Sequence, residues 1–308
     1  MVRHSYNTFF DARIRDRTGD VNGLFQSLTP IVPDTGINGT DNTKYRCKAD
    51  AANTSLDWEE ASFTFVPAAG VTKIRFFVWS NNTAANFLDE ASIVEVLDVA
   101  SGTTTISANT TYGDVNISAG ANLVVNTGVT LTTNTINLES TSSSYASLIS
   151  DGTITGTINY KRYSNVVRTG TSGGNDLISA PVSGQTFGSF ATENTNLAAS
   201  GIERAFAPFN NVSGAYENFD TTDNAATTIV AGQGYRAATT DGSNLTFTGT
   251  VNTGVVNVGI TVGTTNAWNL IGNPYPSYID FVTFFAANKT QFDTGSQAIY
   301  GYNAAGSV

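Results

Sequence analysis

The stretch Leu177–Pro181, which reads LISAP, recurs as LIGNP at Leu270–Pro274, 93 positions further along the chain. The same offset pairs Ala205 with Ala298 without a gap. A constant internal period indicates a repeated structural unit. We therefore predict that the C-terminal half is a duplicated β unit, and that the sequence ends shortly after the second copy has begun.

Prolines and glycines mark where the strands of this half should end. Pro181 and Pro274 fix their own φ angles and cannot donate to a ladder, so they predict strand ends. The glycines of Gly232–Tyr235 predict a sharp turn before a strand. Gly272–Pro276 reads GNPYP, which predicts a rigid exposed loop, either a structural turn or a binding loop.

The composition predicts an all-β protein of two or three domains. The chain has 308 residues, and charged residues make up only 13% of them, about half the usual share. Val, Ile, Thr, Phe and Tyr recur throughout, and no long stretch has the apolar spacing of a helix. Short strands joined by Gly- and Asn-rich turns are the structure that this composition favours.

Charge and hydropathy exclude several classes of partner. The formal net charge of −10 disfavours nucleic acids and anionic membranes, because both attract basic surfaces. No stretch approaches the roughly 20 apolar residues of a membrane helix, and the first residues lack the apolar run of a signal peptide. We predict no nucleic-acid partner and no membrane insertion. The oligomeric state is left open by the sequence.

The sequence predicts no catalytic centre. His4 is the sole histidine and Cys47 the sole cysteine, so neither a Ser-His-Asp site nor a histidine-rich zinc site is expected. Cys47 is best interpreted as a small buried hydrophobe. Asp57 and Glu59 flank Trp58 and would share one face of a strand, which is compatible with paired carboxylates. A solvated strand edge explains them more simply.

Residues 1–100 form the first predicted domain. Phe63 and Phe65 alternate with polar residues before a Pro-Ala-Ala-Gly turn, which predicts one strand of a hairpin. The motifs ASFTFVP, KIRFFVW and LDEASIVEV resemble the end of a jelly-roll carbohydrate-binding module. That resemblance implies a jelly-roll domain, N-terminally incomplete here, with a structural calcium ion for which Asp89 is the candidate ligand. Trp58 and Trp79 are either sugar-stacking platforms or core residues.

Residues 101–163 predict a short β-solenoid. Charge nearly vanishes, and alternating runs of three to five residues are joined by Ala-Gly, Thr-Gly or Asp-Gly pairs. In a parallel coil each inward apolar residue stacks on its equivalent one rung away, and outward Asn and Thr residues form ladders. The runs are Asp114–Ile117, Asn122–Val125, Val129–Leu131, Thr135–Leu138, Ser147–Ile149 and Thr153–Ile158. A meandering antiparallel linker is the competing interpretation.

Residues 164–308 predict a β-sandwich with the duplicated unit, C-terminally truncated. The ordered motifs GTINYKRY, LISAPVSG, AFAPFNN, GQGYRA, LTFTGTVNTG and WNLIGNPYPS resemble surface proteins of Bacteroidota exported by the type IX secretion system. In those proteins a solenoid-like stretch leads into a β-sandwich. The resemblance implies an extracellular or outer cell-surface location.

Two functions follow from these observations. The first is a non-catalytic secreted or cell-surface protein of adhesin or stalk type, in which the solenoid acts as a spacer. The second is the carbohydrate-binding accessory region of a secreted polysaccharide-degrading enzyme, with a polysaccharide or cell-surface glycan as partner. A solenoid polysaccharide lyase is disfavoured, because residues 101–155 contain neither Lys nor Arg for a substrate groove.

Overall fold

The computed structural model describes residues 94–168, 174–264 and 266–301 in full, together with the backbone of four earlier strands. The strands are β1 (Val2–Phe10), β2 (Phe25–Ile31), β3 (Arg46–Asn53), β4 (Ala61–Phe65), β5 (Val94–Val99), β6 (Thr103–Ile106), β7 (Thr110–Thr111), β8 (Asp114–Ile117), β9 (Asn122–Val125), β10 (Thr130–Leu138), β11 (Ser147–Ser150), β12 (Thr153–Tyr163), β13 (Asp176–Ser179), β14 (Val182–Ser183), β15 (Ala199–Ser200), β16 (Glu203–Arg204), β17 (Phe206–Asn210), β18 (Ala215–Tyr216), β19 (Gly234–Ala237) and β20 (Asn244–Val251). The helices are α1 (Phe187–Glu193) and α2 (Phe281–Asn288), and a 3-10 turn follows at Lys289–Gln291.

The predicted all-β class is confirmed, since strands dominate the described residues and the two α-helices there are short. The chain divides into two compact units. One consists mainly of Arg3–Asp98, and the other mainly of Val99–Thr110 and Val115–Val308. Within the first unit, β1 pairs antiparallel with β4, and β2 pairs antiparallel with β3. The predicted strand around Phe63 and Phe65 is β4.

A β-solenoid of about three turns opens the second unit. On one side β6, β9 and β11 pair in parallel, so that Thr104, Leu123 and Leu148 are equivalent positions of successive turns. On another side β10 pairs in parallel with β12, with Ile136 opposite Ile158. The predicted solenoid is therefore confirmed, and the antiparallel-linker alternative is wrong.

The alternating residues of these short strands explain why the coil forms. One residue in two points inward and is excluded from water, and the next lies at the surface. The inward residues with 0% exposure are Val115, Ile117, Leu123, Val125, Leu131, Ile136, Leu138 and Ile158. Fully burying one such side chain contributes about 1.5–3 kcal/mol, which is the main stabilisation available to such small rungs.

The sandwich that follows is organised around an aromatic core. Its four-stranded antiparallel sheet has the order β13-β19-β17-β18, and β14 and β12 flank β20 in a second sheet. Phe206 of β17 stacks on Tyr235 of β19 with ring centroids 4.4 Å apart, and Phe190 of α1 stacks on Phe247 of β20 at 4.8 Å. All four rings are at most 1% exposed. Helix α1 thus closes the core between the sheets.

The outer edge of β20 is covered by side-chain amides where no strand pairs with it. Asn194 accepts from Thr246 N at 2.6 Å and donates to Thr246 O at 2.9 Å. Gln185 accepts from Thr248 N, and Asn196 donates to Asn244 O, each at 3.1 Å. Because an uncovered strand edge invites aberrant pairing, these three amides protect the sheet as a neighbouring strand would.

Candidate functional site

The residues predicted as binding sites from sequence lie outside the described part of the chain. Trp58 and Trp79, the candidate sugar-binding residues, and Asp89, the candidate calcium ligand, all fall there. Asp57 and Glu59 fall there as well. Their roles remain predictions. The candidate site in the described residues is instead the junction of solenoid and sandwich.

Strand β12 belongs to both parts of the second unit. Along one edge it pairs in parallel with β10 of the solenoid, from Thr153 to Tyr160. Along the other edge it pairs antiparallel with β20 of the sandwich, from Ile158 to Tyr163. The two pairings overlap at Ile158–Tyr160, where β12 is bonded on both sides. The backbone hydrogen-bond network therefore runs from solenoid to sandwich without a linker.

A ladder of polar side chains crosses the same junction. Asn137 Nδ2 donates to Asn116 Oδ1 at 2.9 Å, and Asn159 Nδ2 donates to Asn137 Oδ1 at 3.0 Å. The Thr248 hydroxyl of β20 then lies 3.1 Å from Asn159 Oδ1 and 2.9 Å from each carboxylate oxygen of Glu193. Outward amides that satisfy one another hold the rungs in register and carry that register into the sandwich.

The two proline turns of the internal repeat are brought together beside this junction. Asn252 Nδ2 donates to Pro274 O at 2.7 Å and lies 3.5 Å from Pro181 O. Both prolines are buried. Ser179 Oγ also donates to Asn273 O at 2.9 Å. The equivalent turns of the two copies therefore share one hydrogen-bonding side chain.

The loop that follows the second proline turn lies against the last turn of the solenoid. Leu148 N of β11 donates to Pro276 O at 2.7 Å, and Pro276 is buried. Tyr275 donates its hydroxyl to Gly254 O at 2.6 Å. The prediction of an exposed GNPYP loop is thus wrong for its prolines. Its two prolines are buried, and the Pro276 carbonyl accepts from the edge strand β11 of the solenoid.

An aromatic and arginine cluster lies at the edge of this loop. The Arg162 guanidinium carbon is 3.9 Å from the centre of the Tyr145 ring, and the Tyr278 hydroxyl is 3.5 Å from Tyr145 O. Burial raises the pKa of Tyr160 above its ordinary value, although the nearby Arg162 charge opposes that rise. Tyr278 is 65% exposed. Tyr145, Tyr160, Arg162 and Tyr278 define an aromatic-arginine cluster, in which the Arg162 cation packs on the ring of Tyr145.

The described residues contain neither a cluster of metal ligands nor a membrane-spanning helix. Among them, no group of three or more His, Cys, Asp or Glu side chains is placed to hold a metal ion. Nor does that part of the chain contain a helix with the length and apolarity needed to cross a bilayer.

The chain matches one protein-family model over most of its length. The model described as a domain of unknown function, DUF8693, matches residues 78–305, about three quarters of the chain. The chain belongs to the DUF8693 family. No curated protein and no solved structure matches it. The match to DUF8693 includes all of β5–β20 and both helices, and so the whole of the junction and the aromatic-arginine cluster.

Neither helix of the DUF8693 region was predicted from the sequence. Each begins after a capping side chain: Thr186 Oγ1 accepts from Ser189 N at 3.4 Å, and Asp280 Oδ1 accepts from Thr283 N at 2.6 Å. Such N-cap residues are the sequence signal that marks a helix start. The signal was weak because each helix lasts only two turns.

Proposed function

We propose that the chain is a non-catalytic secreted or cell-surface protein of adhesin or stalk type, in which the solenoid is a stiff spacer that carries the sandwich. The observation that supports this proposal is the double pairing of β12, which joins the two parts by hydrogen-bonded strands rather than by a linker. A spacer transmits position and force best when no hinge interrupts it. The single histidine of the sequence and the low charge fit a structural role better than a catalytic one.

The location is part of the same proposal. The motifs from the end of the solenoid through the sandwich resemble those of type IX-secreted surface proteins, which supports an extracellular or outer cell-surface site. For the carbohydrate-binding alternative, the proposed partners are polysaccharides or cell-surface glycans, because aromatic side chains suit the apolar faces of sugars.

A distance measurement tests the proposed stiffness. Spin labels at Ser118→Cys in the solenoid and Ala226→Cys in the sandwich, in a Cys47→Ser background, would report the spread of distances by pulsed dipolar spectroscopy. Ser118 and Ala226 are both exposed. We expect one narrow distance distribution. A broad or bimodal distribution would show a hinge between solenoid and sandwich and would contradict the stalk.

A glycan array separates the stalk from the carbohydrate-binding alternative. The full chain and a Trp79→Ala variant would be applied to the same array. Selective binding that disappears in the variant would favour the accessory region of a polysaccharide-degrading enzyme. Absence of binding to any glycan would favour a purely structural stalk.

A further inference from the structure

The 93-residue repeat reaches further towards the N terminus than the two proline turns. Thr153–Asn159 reads TITGTIN, and Thr246–Asn252 reads TFTGTVN at the same offset of 93. The first stretch lies within β12, and the second lies in β20 and ends one residue beyond it. We call this stretch the TxTGTxN motif. The two strands that meet at the junction of solenoid and sandwich are thus equivalent positions of successive copies.

The motif packs in the same way in both strands. An apolar motif residue enters the core each time, since Ile158 of β12 and Phe247 of β20 are both 0% exposed. The motif glycine lies against the backbone of a neighbouring strand. A Cβ on Gly156 would be 2.4 Å from Thr133 O, and one on Gly249 would be 2.2 Å from Ser183 O. The shared sequence therefore reflects shared packing.

The asparagine that ends the motif binds on both sides of each boundary between copies. Asn159 donates to Asn137 of the solenoid and accepts from Thr248 of the sandwich. Asn252 Nδ2 lies 3.5 Å from the carbonyl of the first proline turn and 2.7 Å from that of the second. Each asparagine joins the part of the chain that precedes it to the part that follows.

Each motif strand also completes the structure that precedes it. Strand β12 pairs in parallel with β10 and forms the last rung of the solenoid. Strand β20 closes the first sandwich copy, where Phe247 stacks on Phe190 of α1 with ring centroids 4.8 Å apart. By the repeat, β12 begins the first copy and β20 begins the second. One strand therefore serves as the last of one part and the first of the next.

We propose that the TxTGTxN strand is the junction that joins sandwich copies in series, so that the partner of each copy is the next copy of the same sandwich in the same chain. Two copies that share a strand have no linker between them, and the alternation of that strand fixes the register of the following copy. The proposal rests on the stalk function for its purpose, because a stiff spacer can then lengthen without gaining hinges.

Duplication of one repeat within the full chain tests this junction. A second copy of residues 160–252 is inserted directly after Asn252, so that the 93 inserted residues follow a TxTGTxN motif as they do naturally. We expect the inserted copy to fold. In hydrogen exchange measured by mass spectrometry, peptides of β19 then come from two copies and should give one protected isotope envelope.

The matched control is the same insertion with one additional glycine between Asn252 and the inserted residue 160. A shift of one residue moves every following side chain of a strand to the opposite face. We expect half of the β19 peptides to lose their protection in this variant. Equal protection in the two insertions would show that the copies are joined by a tolerant linker, and this would overturn the proposal. So would an unprotected inserted copy in both.

The natural chain provides a measurement that does not require an inserted copy to fold. Gly272 N donates to Gly232 O at 2.8 Å, which holds the start of the second copy on the first. Asn252→Ala should speed the exchange of the Gly272 amide about tenfold, measured by NMR, because Asn252 binds both proline turns. Asn126→Ala, at an exposed turn of the solenoid, should leave it unchanged. Unchanged exchange in Asn252→Ala would contradict the joining role of this residue.

A distance measurement on the duplicated chain separates this proposal from the stalk function. Spin labels at Ser118→Cys and at Ala226→Cys of the inserted copy alone, in the Cys47→Ser background, would report the spread of distances. A narrow distribution supports both proposals. A broad distribution with a protected inserted copy would contradict the stiff stalk and still support the shared strand.

Discussion

At Gly156, two residues of β10 face a single residue of β12. The register of the parallel pair shifts between Thr132 and Thr135, and Gly156 opposes this bulge with a φ of +144°. A Cβ on Gly156 would lie 2.4 Å from Thr133 O, a backbone atom that cannot rotate away. Glycine is required here by conformation and by space together.

We predict that Gly156→Ala lowers the free energy of unfolding by about 3 kcal/mol, measured by urea denaturation. The matched control is Gly128→Ala, because Gly128 also has a positive φ, +75°, but has nothing within 4 Å of the added Cβ. That control should lose about 1 kcal/mol from conformational strain alone. Equal losses in both variants would show that the contact with Thr133 adds nothing.

At the scale of elements, α1 is attached to β20 by Asn194. Its amide binds both backbone groups of Thr246, and Asn194 is only 4% exposed. Asn194→Ala would leave the part-buried N–H and C=O of Thr246 without their partner, at about 1–3 kcal/mol each. We therefore expect a loss of about 3 kcal/mol in the free energy of unfolding, measured by thermal and urea denaturation.

The control for this prediction lies on the exposed side of the same helix. The Thr192 hydroxyl donates to Gly188 O of its own helix and the residue is exposed, so Thr192→Ala should change stability by no more than about 0.5 kcal/mol. If Asn194→Ala lowered the free energy of unfolding as little as Thr192→Ala does, water would be replacing the Asn194 amide. The edge of β20 would then not depend on that side chain.

Elements also show how far the sequence could predict this molecule. The solenoid was predictable because residues such as Val115 and Ile117 alternate with polar ones within each short run, so the local pattern states which side is buried. The two helices were not, since seven or eight residues give too little periodicity and α1 depends on distant rings. The junction was hidden for the same reason: Asn159 and Thr248, which meet there, are 89 positions apart.

The predictions of binding residues were limited for a different reason. Trp58, Trp79 and Asp89 were chosen by residue type and by resemblance, and these signals carry no information about which side chains face one another.

At the scale of the second unit, the sharing of β12 predicts that solenoid and sandwich unfold together. If β12 unfolds, β10 of the solenoid and β20 of the sandwich both lose a partner strand, so opening either part exposes the core of the other. We expect β9 and β19 to exchange their amide hydrogens through openings of the same free energy, and with the same urea dependence, in exchange measured by mass spectrometry. Both strands contribute buried core residues.

The destabilised variants Gly156→Ala and Asn194→Ala test directly whether solenoid and sandwich unfold together. Gly156→Ala acts in the solenoid, so under cooperative unfolding it should lower the protection of β19 in the sandwich as much as that of β9. Asn194→Ala acts in the sandwich and should lower the exchange protection of β9 as much as that of β19. If each variant affected only its own half, the solenoid and the sandwich would be independent folding units. The double pairing of β12 would then be a contact between two stable parts rather than the element that makes them one.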